Sequence, residues 1–387
     1  MVNKKPIEYG ELACEALMHQ YLPEELPPAG ALFYHQGVFL SGMQRIYLLN
    51  GNKKYFNYIK SYVDSVIGEN GEIYGICHEV GGYDDSTWGM GLRLRALTML
   101  DCKQPSILFY NLYDETGDEK YMTAAKTIAE SMYYWPVNEY GGYWHMMTQP
   151  NQMWMDGAYM AGPFSVMYAE KFNDNILRDR AINQILIMDD HMKDEKTGLY
   201  YHGWDPTKQT EWADKKTGLS ANFWGRGVGW YPVAILDILD YIPKDHPNAE
   251  RLKSIVRDLL KSLVRFQDKT TGMWFEVLDK TDREDNWVES SCTTLFIYSY
   301  AKAMRMGIIG EEYNDVMMRA YQGIVDRLYF DDEGYIVIDN ICIGTCIDSG
   351  TYEHYINRET VRNDLHGAGA FILMCAEMEE YLKWQKN

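Results

Sequence analysis

Apolar residues recur along this chain at helical rather than strand spacing. Leu252, Ile255, Val256, Leu259, Leu263 and Phe266 fall at offsets of three, four, seven, eleven and fourteen from the first, which paints one stripe along a helix. Pro247 and Asn248 stand just before it as a start signal. Phe56, Ile59, Val63, Val66 and Ile67 make a second stripe, ended by Gly68 at a C-cap position. The same reading places helices at 8–21, 40–49, 120–134, 159–171, 178–192, 230–241, 291–306, 312–328 and 366–384, with another through Tyr113. Strand-like alternation is confined to short runs such as Tyr335 to Asp339.

Short Gly-aromatic turns punctuate the helices: Gly71 to Tyr74, Gly142-Tyr143-Trp144, Gly198 to Tyr200, Gly272 to Trp274, and Gly334-Tyr335. Their spacing suggests units of about 65 residues, longer than the common short solenoid repeats. Paired helices with aromatic loops between pairs predict about six hairpins, and closing six into a ring gives an all-α (α/α)6 barrel around a central pit. An open helical solenoid is the alternative, but no polar capping repeat favours it. No Pro/Ser/Gly-rich linker divides the chain, so residues 1–387 read as one catalytic domain.

Composition narrows the partner. A formal charge of −19 argues against a phosphate backbone, and no Lys/Arg-rich run offsets it, so no nucleic-acid partner is expected. Eleven Trp and 31 Tyr fit a sugar-binding cleft or an aromatic-rich core. Seven Cys without regular spacing suggest reduced thiols, and Cys342 and Cys346 lack the second pair a zinc site needs. No apolar run follows Lys4 and Lys5, and none elsewhere is long enough to cross a bilayer, so the expectation is a cytoplasmic protein without a membrane partner. A monomer or small homo-oligomer is expected.

Candidate chemistry centres on WMDGAYMAGPF at 154–164, where one carboxylate, Asp156, sits among Trp, Tyr, Met and Phe. Burial disfavours the charged carboxylate and raises its pKa, which makes a proton donor near neutral pH. The competing reading is a helix N-cap, a role Asp often fills. His145 and His202 follow aromatic residues in corresponding loops, which should open at one end of the ring; each alone reads as a structural histidine. In FWGRGVGW at 223–230, the glycines permit close approach and should leave Trp224, Arg226 and Trp230 open to a ligand. Arg226 offers a planar fork for a carboxylate, or pairs with an internal acid. Asp101 is the natural second carboxylate, and Asp84, Asp85, Asp214, Glu289 and Asp348 are further candidates that spacing does not rank.

Taken in order, these motifs resemble the unsaturated rhamnogalacturonyl hydrolases of glycoside hydrolase family 105, relatives of the unsaturated glucuronyl hydrolases of family 88. The matching segments include YHQGVFLSGM at 34–43, GGYWH at 141–145, WMDGAYMAGPF at 154–164, TGLYYHGW at 197–204, FWGRGVGWYPVAILDILDYIPKDHP at 223–247, NWVESSC at 286–292 and NDLHGAGAF at 363–371. The resemblance implies an (α/α)6 barrel and a substrate left by a polysaccharide lyase, an oligosaccharide ending in a 4,5-unsaturated uronic acid. It implies hydration of that double bond with Asp156 as acid/base, and substrate-site roles for Asp101, His145, Trp154, His202, Trp224, Arg226 and Trp230. Trp154 and Trp230 would stack the sugar, and no metal or organic cofactor is implied. Ala158, Val228 and the looser match at 343–355 bear on the leaving sugar. The leading expectation is release of rhamnose from unsaturated rhamnogalacturonan disaccharide. The alternatives are the same chemistry on a glucuronyl or galacturonyl lyase product, a sugar 2-epimerase using paired histidines, and a non-catalytic sugar-binding protein.

Overall fold

The computed structural model describes residues 4–73 and 98–386. Outer and inner helices alternate along the chain. The first half holds α1 (Pro6–Gln20), α2 (Tyr34–Asn50), α3 (Lys53–Val66), α4 (Leu108–Thr116), α5 (Glu119–Tyr133) and α6 (Gly157–Phe172). The second holds α7 (Asn175–Met192), α8 (Gly225–Leu239), α9 (Ala249–Leu263), α10 (Ser290–Arg305) and α11 (Asn314–Val325). A short α12 (Tyr352–Ile356) then precedes α13 (Leu365–Trp384).

Helices α2, α4, α6, α8, α10 and α13 form the inner ring, closed by α13 packing on α2; the other long helices lie outside. The (α/α)6 barrel expected from the hairpin pattern is therefore present. Burial follows position. Every residue of α8 from Gly225 to Ile238 and of α10 from Ser290 to Met304 is buried, because an inner helix meets protein on all sides. Outer α9 buries one face, Leu252, Ile255, Val256, Leu259, Leu260 and Leu263, the stripe read from the sequence.

The two rims differ in construction. Three inner-to-outer links are two residues long: Gly51-Asn52, Gly117-Asp118 and Asn173-Asp174. In each, a left-handed residue ends one helix and an Asx side chain caps the next. Outer-to-inner links are long and carry the Gly-aromatic turns. They also carry small antiparallel pairs: β1 (Met153–Trp154) with β2 (Gly203–Trp204), β3 (Tyr329–Phe330) with β4 (Ile336–Val337), and β5 (Ile341–Cys342) with β6 (Thr360–Val361). Inner helices therefore all begin at the long-loop rim.

One turn shifts from its expected register. Gly141, not Gly142, takes the positive φ of its counterparts, while Gly142 makes room for Met153. Tyr74, the aromatic of the first turn, lies outside the described residues. At Gly272 (φ +75°) an added Cβ would stand 2.6 Å from the Arg319 carbonyl oxygen, whereas at Gly334 (φ +86°) it meets nothing within 4 Å. Gly334→Ala should thus cost about 1–2 kcal/mol, the left-handed penalty alone, and Gly272→Ala distinctly more. Equal urea midpoints for the two variants would contradict this.

Candidate active site

Asp156 stands at the cap position of α6, yet its side chain makes no capping bond. Its Oδ2 instead lies 3.1 Å from His202 Nε2. The backbone builds this contact: Trp154 faces Gly203 across β1 and β2, and the Met155 N–H donates to the His202 carbonyl at 2.9 Å. Gly227, in the first turn of α8, lets that helix come close. A Cβ there would sit 3.6 Å from Asp156 Oδ2 and 3.3 Å from His202 Cδ2.

Trp154 lies between two histidines. His145 stacks on it at 4.5 Å, and His202 meets it edge-on at 5.9 Å. His145 Nε2 in turn lies 3.3 Å from Asp101 Oδ1. Two Asp–His pairs thus flank one indole, and the two histidine loops do open at the same end. On the far side His202 packs against Trp224 at 4.5 Å, and the Arg226 guanidinium lies 4.5 Å over the same indole.

The expected rise in the Asp156 pKa is corrected by the structure. Burial does push it up, and is the largest single influence. The hydrogen bond from His202, with the fields of His202, His145 and Arg226, outweighs it and holds the carboxyl below its usual value. Burial lowers the His202 imidazole as well, so near neutral pH the pair is a carboxylate beside a neutral ring. The raised carboxyl belongs to Glu276, pushed up to about 8 by burial and then by neighbouring Glu289. Its Oε1 accepts the Trp224 indole N–H at 2.7 Å, from a fully buried position behind that ring.

Two other expectations change. Trp224, Arg226 and Trp230 are 1%, 1% and 0% exposed, so they do not stand open to a ligand. Trp230 stacks on Tyr159 at 4.6 Å in the packed interior, one turn of α8 below Arg226, and offers no face to a sugar. Arg226 directs its fork at backbone, donating to the Cys342 carbonyl at 2.5 Å and the Ile343 carbonyl at 2.9 Å. That pins the 343–355 loop to α8 and leaves the guanidinium to act on the site by its charge.

The remaining carboxylates have structural tasks. Glu289 caps α10, accepting from Ser291 and Cys292 N–H and from Cys342 N–H at 3.0 Å. Asp214 ties its own exposed turn, and half-exposed Asp348 lies 3.7 Å from His354. Asp84 and Asp85 lie outside the described residues.

Sequence reasoning missed His35, Asp364 and His366, a group with the donor set of a metal site. The spacing is tighter than a bound zinc would set. His366 Nδ1 lies 2.6 Å from Asp364 Oδ1, whereas two ligands on a tetrahedral zinc stand about 3.3 Å apart. His366 Nε2 donates to the Cys342 carbonyl at 3.0 Å, so the pair anchors the start of α13 to β5. Tyr355 was missed too; its hydroxyl lies 2.7 Å from His202 Nδ1. Its position in the loosely matching 343–355 segment gave no signal of that contact.

The N-terminal ends of α6, α8, α10 and α13 meet around these groups, and their helix dipoles make the rim favourable to an anion. Residues 9–382 match the family described as Glycosyl Hydrolase Family 88. The chain belongs to that family. It is 25% identical over 326 residues to the unsaturated rhamnogalacturonyl hydrolase YesR of Bacillus subtilis, covering 83% of this chain and 80% of that one. The unsaturated 3S-rhamnoglycuronyl hydrolase of Formosa agariphila is 22% identical over 58% of this chain and 57% of its own. A family 105 glycoside hydrolase structure from C. acetobutylicum superposes with a TM-score of 0.86 at 28% identity, covering 96% of this chain and 99% of the other. As a family 88 member the protein is a glycoside hydrolase, which sets aside the epimerase and the non-catalytic binder. No helix among the described residues is long and apolar enough to cross a membrane.

The buried imidazoles carry a pH signature. Burial lowers His35 to about 3 and lowers His202 as well. Unfolded, both take up a proton near pH 6.5, which the folded state resists. Stability is therefore complete above about pH 6.5 and is lost as the pH falls toward 3, with depressed Asp156 and Asp364 adding to the loss only below about 3.8. Urea midpoints should decline across that window, and His35→Gln should flatten part of the decline; an unaltered slope would refute it.

Proposed function

We propose that this glycosyl hydrolase hydrates the C4=C5 double bond of a terminal unsaturated uronic acid, and that its substrate is unsaturated rhamnogalacturonan disaccharide, from which it releases rhamnose. The carrying observation is one carboxylate, Asp156, held at the rim by His202, while Asp101 is engaged by His145. A retaining or inverting glycosidase sets two carboxyl groups across the scissile bond, one acid and one nucleophile or base. Hydration of a vinyl ether needs a single group that gives one proton and takes another.

The steps follow from that group. The bound uronate brings a second negative charge beside Asp156 and displaces water, and both raise its proton affinity above that of the empty site. Asp156 then gives its proton to C4, and the positive charge is shared between C5 and the ring oxygen. The same carboxylate takes a proton from the water that attacks C5. One hydrogen is now on C4, the hydroxyl is on C5, and Asp156 is protonated for the next turnover. The hemiketal at C5 opens and the neighbouring sugar leaves. His202, bonded to Oδ2, aims the carboxyl; Trp154 shields it from bulk water; Arg226 and the helix ends supply positive potential to the uronate. No step requires a metal or organic cofactor.

YesR and the Formosa enzyme are named for different unsaturated substrates, so the test uses a panel. On unsaturated rhamnogalacturonan disaccharide, the ultraviolet absorbance of the conjugated double bond should fall as rhamnose appears, faster than on glucuronyl or galacturonyl lyase products. Asp156→Asn should fold and bind substrate but lose about 10²–10⁴-fold in kcat, the range for a positioned acid/base. Near-native turnover by that variant would remove Asp156 from the role.

A further inference from the structure

The hydration steps leave Tyr355 unused, although it lies against their central pair. It sits on α12, within the segment that β5 and β6 close off, and it is fully buried. Its hydroxyl is 2.7 Å from His202 Nδ1, and the opposite ring nitrogen is 3.1 Å from Asp156 Oδ2. Phenol, imidazole and carboxylate form one chain.

We propose that Tyr355 is a positioning residue of this reaction: acting through His202, it determines which ring nitrogen carries the hydrogen and so keeps a donor on Asp156. The inference rests on the hydration reading above. An ionised carboxylate only accepts, so the contact at Oδ2 requires the hydrogen on Nε2. A neutral imidazole has one N–H, and the partner of the other nitrogen selects the tautomer. With Tyr355 donating to Nδ1, the hydrogen stays on Nε2. With no donor there, His202 is free to place its hydrogen on Nδ1 and turn a bare lone pair toward the carboxylate.

The phenol suits this task in both charge states of His202. Burial, with the fields of Asp156, Glu276, Asp348 and Cys346, keeps it protonated well beyond its usual range. A hydroxyl donates to Nδ1 when the ring is neutral and accepts from it when the ring is an imidazolium, by rotating one O–H bond. The titratable groups facing His202 and Asp156 among the described residues include His145, His354, Arg226 and Cys346, and the hydrogen bond at Nδ1 is the one to the Tyr355 hydroxyl. The tyrosine ring is held separately, stacked 6.1 Å from Trp224 and edge-on 5.1 Å from His354. Tyr355→Phe therefore removes the hydroxyl while keeping the packing.

Nitrogen-15 NMR of histidine-labelled protein, with the His202 signals assigned by their loss in His202→Gln, reads the tautomer without substrate. Wild type above the His202 pKa should show the hydrogen on Nε2, and Tyr355→Phe a mixture. In kinetics, Tyr355→Phe should lose at least about tenfold in kcat with KM changed less than about threefold. The limb of its pH profile set by Asp156 should move to higher pH, because the carboxylate has lost a donor. A wild-type hydrogen on Nδ1 would overturn the proposal, and that measurement decides even where the variant fails to fold. So would a variant with a lowered Tm and raised KM but an unmoved tautomer and pH limb, the result of a merely structural tyrosine. Since the nitrogen signals need no sugar, they report the tautomer equally well if the substrate proves to be a different one.

Discussion

An inner helix with no polar face exists only where protein surrounds it, and the closure of α13 onto α2 provides that surrounding for the ring. The rest of the molecule follows from closure. Outer helices need bury one stripe only, and two-residue links suffice where the chain steps outward at one rim. Steps back inward cross the opposite rim, and there the loops are long. Chemistry collects at that rim because the N-terminal ends of the inner helices and the variable loops meet there, and dipoles and donors face a common space.

Within that space, two carboxyl groups divide between opposite electrostatic outcomes. Glu276 is buried beside Glu289 and is pushed up, and it lies behind Trp224, accepting that ring's N–H. Asp156 is buried as well, but His202, His145 and Arg226 surround it with donors and positive potential, so it is pushed down. A buried carboxyl with a raised pKa is thus not by itself the acid. In the proposed reaction the acid is the group whose neighbours allow its proton affinity to change when an anion arrives, and the Asp156–His202 contact, fixed by backbone pairing, would set that response.

Much of this was legible in the sequence because it rests on local periodicity. The stripe from Leu252 to Leu263 is the buried face of α9, and the helices expected at 178–192 and 366–384 lie within one to three residues of α7 and α13. Asp156, His145 and His202 converge as their corresponding loop positions suggested. What was not legible depends on contacts far apart in the chain. Burial alone predicts a raised Asp156, and the His202 hydrogen bond placed by β1 and β2, with the fields of His202, His145 and Arg226, reverses it. Three glycines suggested an open Trp224–Trp230 segment, but α8 uses them for close packing, and Arg226 turns to carbonyls more than a hundred residues away. Tyr355 stands 153 residues from His202, a separation that no motif encodes.

The central claim is that the double bond, not the glycosidic bond, is the site of reaction. A matched pair of disaccharides tests it most directly: galacturonosyl-rhamnose with and without the C4=C5 double bond, given to the same wild-type enzyme. Hydration through Asp156 predicts rhamnose release from the unsaturated sugar alone, one mole for each mole of double bond lost. Cleavage of the saturated sugar, or rhamnose release with the double bond retained, would contradict it.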